Sequence, residues 1–159
     1  MMRKKRKRRI AVFDVNTNEC TATANAVREF YATDKVRVEE HTDMKTFVEV
    51  FGVLSDMRDG YDVVFLSVDG MLGVEAGRNI REIDRHFNLF VISNNWDYGY
   101  EAHRLYALDY LIKPVTSQNI KEAEERIRWK RKSDARTARS IEHCSTKNEL
   151  EKKLRTGGS

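Results

Sequence analysis

The feature that most constrains this chain of 159 residues is a regular alternation between short apolar runs and longer segments of helical period. Short apolar runs are typical of buried strands, and apolar residues three or four positions apart are typical of amphipathic helices. Five such pairs in succession indicate stacked β-α units and a parallel sheet. The strands are predicted at residues 10–13, 36–38, 63–66, 89–92 and 110–112.

Five helices are predicted to follow these strands. Asn16 or Thr17 is a suitable N-cap for the first of them. The ranges are residues 17–31, 44–57, about 73–85, 96–105, and from about 117 onward. Three of the helices have a clear inner stripe, formed by Ala22, Ala26 and Phe30, by Phe47, Phe51 and Leu54, and by Ile120, Ala123 and Ile127.

The helical pattern weakens beyond Ile127. Lys130 and Asp134 stand where a coiled coil would need apolar residues. We therefore expect a protruding or frayed helix there, followed by a weak second helix at residues 146–154.

Charge is distributed unevenly along the chain, with basic ends flanking an acidic body. Residues 3–9 are all lysine or arginine, and residues 126–139 hold seven more against one acid. Residues 10–125 hold 11 lysines and arginines against 21 acids. Runs of like charge are usually solvated tails, and contact with nucleic acid or another anionic surface is the alternative. We expect a basic arm at 1–9, a single domain at 10–128 and a basic helical or disordered tail at 129–159.

Several classes of protein are disfavoured by the sequence. The apolar stretch after the basic arm is too short for a secretory signal, and no segment is long and apolar enough for a membrane span. Cys20 and Cys144 have neither disulfide nor metal spacing, so we expect a reducing, cytoplasmic setting. A small-molecule enzyme is also disfavoured, because no nucleotide-binding glycine motif or metal cluster is visible.

Polar residues follow the predicted strands at one edge of the sheet. Asp14 ends the first strand, Ser67 the third and Ser93 the fourth, and Lys113 with Pro114 follows the fifth. In open parallel sheets, ligands bind at the carboxyl ends of the strands. These residues are therefore the candidate functional site.

This set of residues resembles the receiver domain of bacterial two-component response regulators. The resemblance covers roughly residues 10–128 and is closest to receivers that precede LytTR-type DNA-binding domains. It is carried by YDVVFLSVDG (residues 61–70) and by VISNNWDYGYEAHRLYALDYLIKPV (residues 91–115). Within the second stretch ALDYLIKP is the most specific part. The resemblance implies a flavodoxin-like, CheY-like fold: a doubly wound, five-stranded parallel sheet in the order 2-1-3-4-5 with helices on both faces.

The resemblance also implies roles for individual residues. Receivers use an aspartate at the end of the third strand as phosphoacceptor, two acids after the first strand to hold Mg²⁺, a switch hydroxyl after the fourth strand, and a phosphate-binding lysine. Asp14 matches the first acid, Ser93 the switch hydroxyl, Tyr110 the switch aromatic, and Lys113 before Pro114 the lysine.

Two positions depart from the family pattern. Val15 replaces the second acid, and Ser67 stands where the phosphoacceptor aspartate belongs. A serine hydroxyl is a weak nucleophile without a neighbouring base. Because Mg²⁺ in such sites usually keeps one or two carboxylates, Asp14 alone is a weak metal ligand and we expect no cofactor.

The roles of the remaining pocket residues stay open at this point. Asp69 either replaces the lost phosphoacceptor, caps the turn, or neutralises Lys113. The Lys113 ammonium is expected to pair with Asp14 or Asp69, because a lone charge in a half-buried pocket is costly. Ser93 is either a switch hydroxyl or a cap, and Lys113–Pro114 is a candidate cis peptide.

Aromatic residues are concentrated around the fourth helix. Either they belong to the core or they form an interface, because the face from helix 4 to helix 5 is similar to the surface that receivers use for dimerisation and output. The candidate interface residues are Trp96, Tyr98, Tyr100 and Tyr106.

The sequence therefore predicts a pseudo-receiver: a non-enzymatic, phosphorylation-independent interaction module in bacterial signal transduction or transcription control. Its expected partner is a protein or a second copy of the chain, and not a membrane. One alternative is a phosphorylatable receiver of a phosphorelay that uses Asp69. The other is a nucleic-acid-binding protein that uses the basic ends.

Overall fold

The computed structural model describes residues 6–31 and 34–156, with side chains through residue 142. Within these residues, five strands alternate with five helices. The strands are β1 (Arg8–Phe13), β2 (Val36–His41), β3 (Val63–Ser67), β4 (Asn88–Ser93) and β5 (Asp109–Ile112). The helices are α1 (Thr17–Phe30), α2 (Met44–Asp56), α3 (Met71–Ile83), α4 (Gly99–Arg104) and α5 (Ser117–Thr156).

The strands form one parallel sheet in the order β2-β1-β3-β4-β5, which confirms the predicted fold class. All residues of β3 are buried, as expected of a central strand that helices cover on both faces. The edge strand β2 is more exposed to solvent: Val36 is buried, whereas Arg37 and Glu40 are exposed.

Aromatic side chains fill the core on both sides of the sheet. Phe13 stacks on Phe47 with ring centroids 5.1 Å apart, and Phe65 stacks on Phe90 at 5.3 Å. Stacked and edge-to-face aromatic pairs contribute beyond the apolar area that they bury. Aromatic packing therefore stabilises both faces of the sheet.

Side chains cap the first two helices as the sequence suggests. Asn16 Oδ1 accepts a hydrogen bond from Glu19 N at the start of α1, and Asp43 does the same for Thr46 N at the start of α2. The predicted inner stripe of α1 is wrong at Ala22, which is exposed. The residues of α1 that are buried are Cys20, Thr23, Ala24, Ala26 and Val27.

A very short turn connects β3 to α3. Three residues separate Ser67 from Met71, and Gly70 adopts a φ of 104°, which favours glycine. Gly73 then passes so close to the end of β3 that an added Cβ would lie 2.0 Å from Ser67 O. The missing side chain at Gly73 thus lets α3 begin directly over the candidate site.

Helix α4 is shorter than predicted, because it begins at Gly99 and not at Trp96. The preceding residues form a loop in which Asp97 N donates to Asn95 Oδ1 and Tyr98 N donates to Tyr110 OH. These bonds hold the backbone of residues 94–98 outside the helix.

The N-terminal strand begins earlier than predicted, because Arg8 and Arg9 belong to β1 and not to a free arm. Arg8 forms a salt bridge with Glu124 at 2.6 Å. Arg6 pairs with Asp59 at 2.7 Å and with Asp62 at 2.9 Å. The acidic body thereby neutralises part of the basic run at residues 3–9.

The last helix is continuous from Ser117 to Thr156, so the separate helix predicted at residues 146–154 is wrong. No glycine or proline interrupts this stretch, and residues of high helix propensity carry the helix through. The chain divides into two compact units, Met1–Glu124 and Glu125–Ser159. Among the helices of the described residues, none combines the length and apolarity that crossing a membrane requires.

Candidate functional site

The four polar residues predicted at the strand ends lie together in the structure. Parallel strands bring their carboxyl ends to one edge, which places Asp14, Ser67, Ser93 and Lys113 around a common pocket. Asp14, Ser67 and Ser93 are all buried. The Lys113–Pro114 peptide bond is cis.

The ammonium of Lys113 is the centre of this pocket. Its Nζ lies 2.7 Å from Asp14 Oδ2, 2.7 Å from Glu19 Oε2 and 2.8 Å from Asp69 Oδ2. It also lies 2.9 Å from Ser67 Oγ. Since the side chain of Lys113 is 6% exposed, these oxygens replace the water that a surface lysine would bind.

The carboxylate of Asp69 is the second centre, and it collects donors from the loop after β4. Ser93 Oγ donates to Oδ1 at 2.5 Å, and Asn94 N donates to the same oxygen at 3.0 Å. Asn94 Nδ2 donates to Oδ2 at 2.8 Å. With Lys113, four donors converge on this one carboxylate. Such charge-assisted hydrogen bonds are about twice as strong as neutral ones.

The titration of both centres reflects this pairing. Burial lowers the pKa of Lys113, but hydrogen bonds to Asp14, Asp69 and Glu19 outweigh burial and hold that pKa above its ordinary value. Burial raises the pKa of Asp69, but its hydrogen bonds to Lys113, Ser93 and Asn94 N hold it below the ordinary value. Both groups are therefore charged at neutral pH.

The hydroxyl of Ser67 is hydrogen bonded to the central lysine of the pocket. Its Oγ accepts a hydrogen bond from the Lys113 ammonium, which is protonated and cannot take the hydroxyl proton. Among the described side chains, no carboxylate or imidazole is hydrogen bonded to this hydroxyl. The Ser67 hydroxyl is therefore not activated as a nucleophile.

The residues present do not fit the Mg²⁺ site that the family resemblance implies. Val15 is an exposed apolar side chain where the second acid would stand. Asp14 already accepts from Lys113 through Oδ2 and from Asn16 N through Oδ1. Within the described residues, no group of three or more histidine, cysteine or acidic side chains is arranged to hold a metal ion.

Tyr110 is tied to the loop that carries Asn94. Its hydroxyl donates to Asn95 O at 2.6 Å and accepts from Tyr98 N at 3.4 Å. Its ring lies 5.1 Å from that of Trp96. Tyr98 reaches the other side of the pocket, since its hydroxyl accepts from Gly70 N at 3.1 Å. The loop at residues 94–98 therefore connects the pocket to the aromatic side chains of Trp96 and Tyr110.

The four aromatic residues predicted as an interface differ in exposure. Trp96, Tyr100 and Tyr106 are exposed, whereas Tyr98 is partly buried and packs against the core. Tyr100 also lines a surface groove between α3 and α4, together with Val74, Arg78, Glu101, Arg104 and Leu105.

Sequence reasoning missed two residues of the pocket, Glu19 and Asn94. Glu19 follows the cap of α1 by three residues, which places it in the first helical turn beside the end of β1. That spacing allows the position of Glu19 to be predicted from the sequence. Asn94 follows Ser93 directly, but the path of the loop decides where its amide points, and the sequence holds no signal for that path.

Comparison with known proteins finds relatives both in sequence and in structure. No family model matches the chain. The transcriptional regulatory protein LytR of Staphylococcus aureus is 29% identical over 83 residues, which cover 51% of this chain and 34% of LytR. The chain thus spans about a third of the length of the curated relatives that it matches.

Solved receiver domains have the same fold. A CheY-like response regulator receiver domain from Methanospirillum hungatei matches with a TM-score of 0.61 and 13% identity, over 80% of this chain and 99% of that one. A receiver domain from Clostridium thermocellum matches with a TM-score of 0.60 and 20% identity, over 78% and 97%. The chain therefore has the CheY-like fold of response regulator receiver domains, and LytR-type regulators are among its relatives in sequence.

Proposed function

We propose that this domain is a pseudo-receiver, a module of bacterial signal transduction that binds protein partners without being phosphorylated and is not an enzyme. The observation that carries the proposal is the Asp69 carboxylate, which accepts hydrogen bonds from Lys113, Ser93 and Asn94. Lysine and hydroxyl donors at these positions bind the phosphoryl group in receivers that the chain resembles. Here the chain's own carboxylate takes up both donors.

The charge balance of the pocket supports the same proposal. Asp14, Glu19 and Asp69 place three carboxylates around the single ammonium of Lys113. A phosphoryl group would add negative charge to a pocket that already has an excess of it, and like charges at such distances repel strongly. Entry of the group would require Asp69 to leave first.

The partner surface that we propose is the face from α4 to α5. Trp96, Tyr100 and Tyr106 are exposed on or beside α4, and aromatic residues are frequent anchors of protein interfaces. Because Tyr110 and Tyr98 bond this face to the pocket, the locked pocket holds the face in one state. Its partner is a protein of the signalling pathway or a second copy of the chain.

Intact mass spectrometry after incubation with acetyl phosphate and Mg²⁺ tests the proposal. We expect no change in mass, because no described nucleophile is activated and the phosphate donors are occupied. A receiver with a phosphorylatable aspartate serves as the positive control. Gain of one phosphoryl group would contradict the proposal.

A second candidate keeps phosphotransfer and uses Asp69 as a displaced phosphoacceptor. Its support is that Asp69 Oδ2 lies 2.8 Å from Lys113 Nζ. Against it, an in-line attack tolerates misplacement by only about an ångström, and Asp69 lies two residues beyond the family position. The same experiment separates the two, since this candidate predicts a phosphoryl group that is lost in Asp69→Asn.

A further inference from the structure

The basic part of α5 presents an ordered cationic surface that the pocket does not involve. Residues 126–139 hold seven lysines and arginines and one acid, Asp134. In a helix of 3.6 residues per turn, five of the seven fall within an arc of about 140°. These five residues, which we name the basic stripe, are Arg128, Arg131, Lys132, Arg136 and Arg139.

The basic stripe is exposed along its whole length. Among the described side chains, no acidic residue forms a salt bridge with Arg131, Lys132 or Arg136. The basic run at the N-terminus differs in this respect. Its members Arg6 and Arg8 are already paired with acids of the body. The stripe is therefore the stronger candidate for an external anion.

The spacing within the stripe calls for a polyanion. Lys132 stands four residues from Arg128 and from Arg136, and like charges at this spacing repel one another along a helix. An anion with regularly repeated charges relieves this repulsion over the whole stripe at once. Duplex DNA offers one negative charge per about 1.7 Å of its axis, against a stripe about 17 Å long.

The helical shape of α5 favours duplex DNA over duplex RNA. The major groove of B-DNA, about 12 Å wide, admits an α-helix. The corresponding groove of A-form RNA is too narrow for side chains to read. A helix that lies in the first groove has phosphates of both strands beside its basic face, whereas the second groove does not admit a helix.

We propose that the basic stripe binds duplex DNA through its phosphates, without preference for sequence. This interaction uses no residue of the pocket and none of the aromatic residues of the proposed partner face, so its test does not depend on Asp69. Five phosphate contacts would release counterions, and the logarithm of the binding constant should fall with the logarithm of salt with a slope of about −4.5.

Fluorescence anisotropy of the full chain with a labelled DNA duplex of about two helical turns tests this proposal. Between 50 and 200 mM salt we expect the affinity to fall roughly 500-fold. The stripe variant replaces Arg131, Lys132, Arg136 and Arg139 with glutamine, which keeps helix propensity. We expect it to bind more than about tenfold more weakly at 50 mM salt, with a slope near −1.

A matched control removes four exposed basic residues of the body by replacing Lys35, Lys45, Arg78 and Arg85 with glutamine. It changes the net charge equally, and we expect affinity and slope close to those of the unaltered chain. Circular dichroism of each variant verifies that the fold is kept.

Several outcomes would overturn the proposal. They are absence of binding at 50 mM salt, binding that is indifferent to salt, and equal losses in the stripe variant and the body control. Equal or tighter binding to duplex RNA, or to vesicles of anionic lipid, would also overturn it. So would an arm variant, with Lys4, Lys5, Arg6 and Lys7 replaced by glutamine, that loses binding while the stripe variant keeps it.

Discussion

Lys113 is the residue on which the pocket depends most. Its ammonium pairs with three carboxylates, one of which, Asp14, has a side chain only 2% exposed. Replacing it with methionine keeps most of the stem and removes the charge. We expect Lys113→Met to lower the free energy of unfolding by about 3 kcal/mol, because a buried carboxylate is left without its partner.

Urea unfolding at pH 7 measures this effect. Lys121→Met, which alters an exposed lysine of α5, is the matched control and should change stability by less than about 0.5 kcal/mol. Equal stabilities of the two variants would show that Lys113 is not the centre of the pocket.

Asp69 makes the pocket sensitive to acid, and the sign follows from its pKa. Since hydrogen bonding holds the pKa of Asp69 below its ordinary 3.8, its stabilising effect is complete above that value and is lost as pH falls through the lower pKa of the folded state. At pH 7 we expect Asp69→Asn to cost about 2 kcal/mol.

That difference should shrink once the pH falls below 3.8, because the carboxyl of the unaltered chain then becomes protonated as well. Urea unfolding of both proteins across the acid range gives the measurement. A difference in the free energy of unfolding that stays constant with pH would mean that Asp69 is not ionised in the folded chain.

Much of the pocket was predictable residue by residue, because the rule that parallel strands end at one edge brings Asp14, Ser67, Ser93 and Lys113 together. Among the three roles left open for Asp69, the geometry favours neutralisation of Lys113. Glu19 and Asn94 were missed because their positions depend on the rotation of α1 and on the path of a loop. The spacing from the Asn16 cap is a local signal for Glu19, whereas the sequence holds no such signal for Asn94.

Among the elements, the β3-α3 turn sets the geometry of the pocket most directly. An added Cβ at Gly73 would lie 2.0 Å from Ser67 O and 2.8 Å from Val68 Cα, and both are backbone atoms. Backbone cannot move aside as a side chain tip can. We expect Gly73→Ala to cost about 3 kcal/mol, at the upper end of the range for overpacking.

Gly99→Ala is the matched control, because an added Cβ at Gly99 meets nothing within 4 Å at the start of α4. We expect a gain of up to about 1 kcal/mol there from the higher helix propensity of alanine. Thermal unfolding of the two variants measures both effects. A Gly73→Ala variant as stable as the unaltered chain would mean that α3 does not approach β3 as closely as described.

The positions of helices and strands were predicted best where burial alone determines them. The apolar runs identified all five strands to within a few residues, because central parallel strands are apolar on both faces. The start of α4 was wrong, since the hydrogen bonds that Asp97 N donates to Asn95 and Tyr98 N donates to Tyr110 outweigh helix propensity at residues 96–98. The start of β1 was wrong because a basic run was taken for a tail, whereas body acids bind Arg8 and Arg9.

Across the whole molecule, the chain joins a sheet unit, in which acids outnumber bases over residues 10–124, to a basic helical unit. The sheet unit keeps the receiver fold, but charged side chains of the chain itself occupy its pocket. Contacts through Lys113 and Asp69 connect the ends of β1, β3, β4 and β5, so the pocket stabilises the edge of the sheet. In the proposed function, regulation therefore comes from partner binding and not from chemistry in the pocket.

Occupation of the pocket by its own side chains is tested most directly by titrating the isotopically labelled chain with beryllofluoride and Mg²⁺ while the backbone amide resonance of Asn94 is followed. That amide donates to Asp69 at 3.0 Å and would have to exchange partners if a phosphate analogue entered. We predict no saturable shift of this resonance, with the amide of Gly60, which precedes β3 and so lies at the opposite end of that strand from the pocket, as the reference. A saturable shift at Asn94 that needs both beryllofluoride and Mg²⁺ would contradict the account.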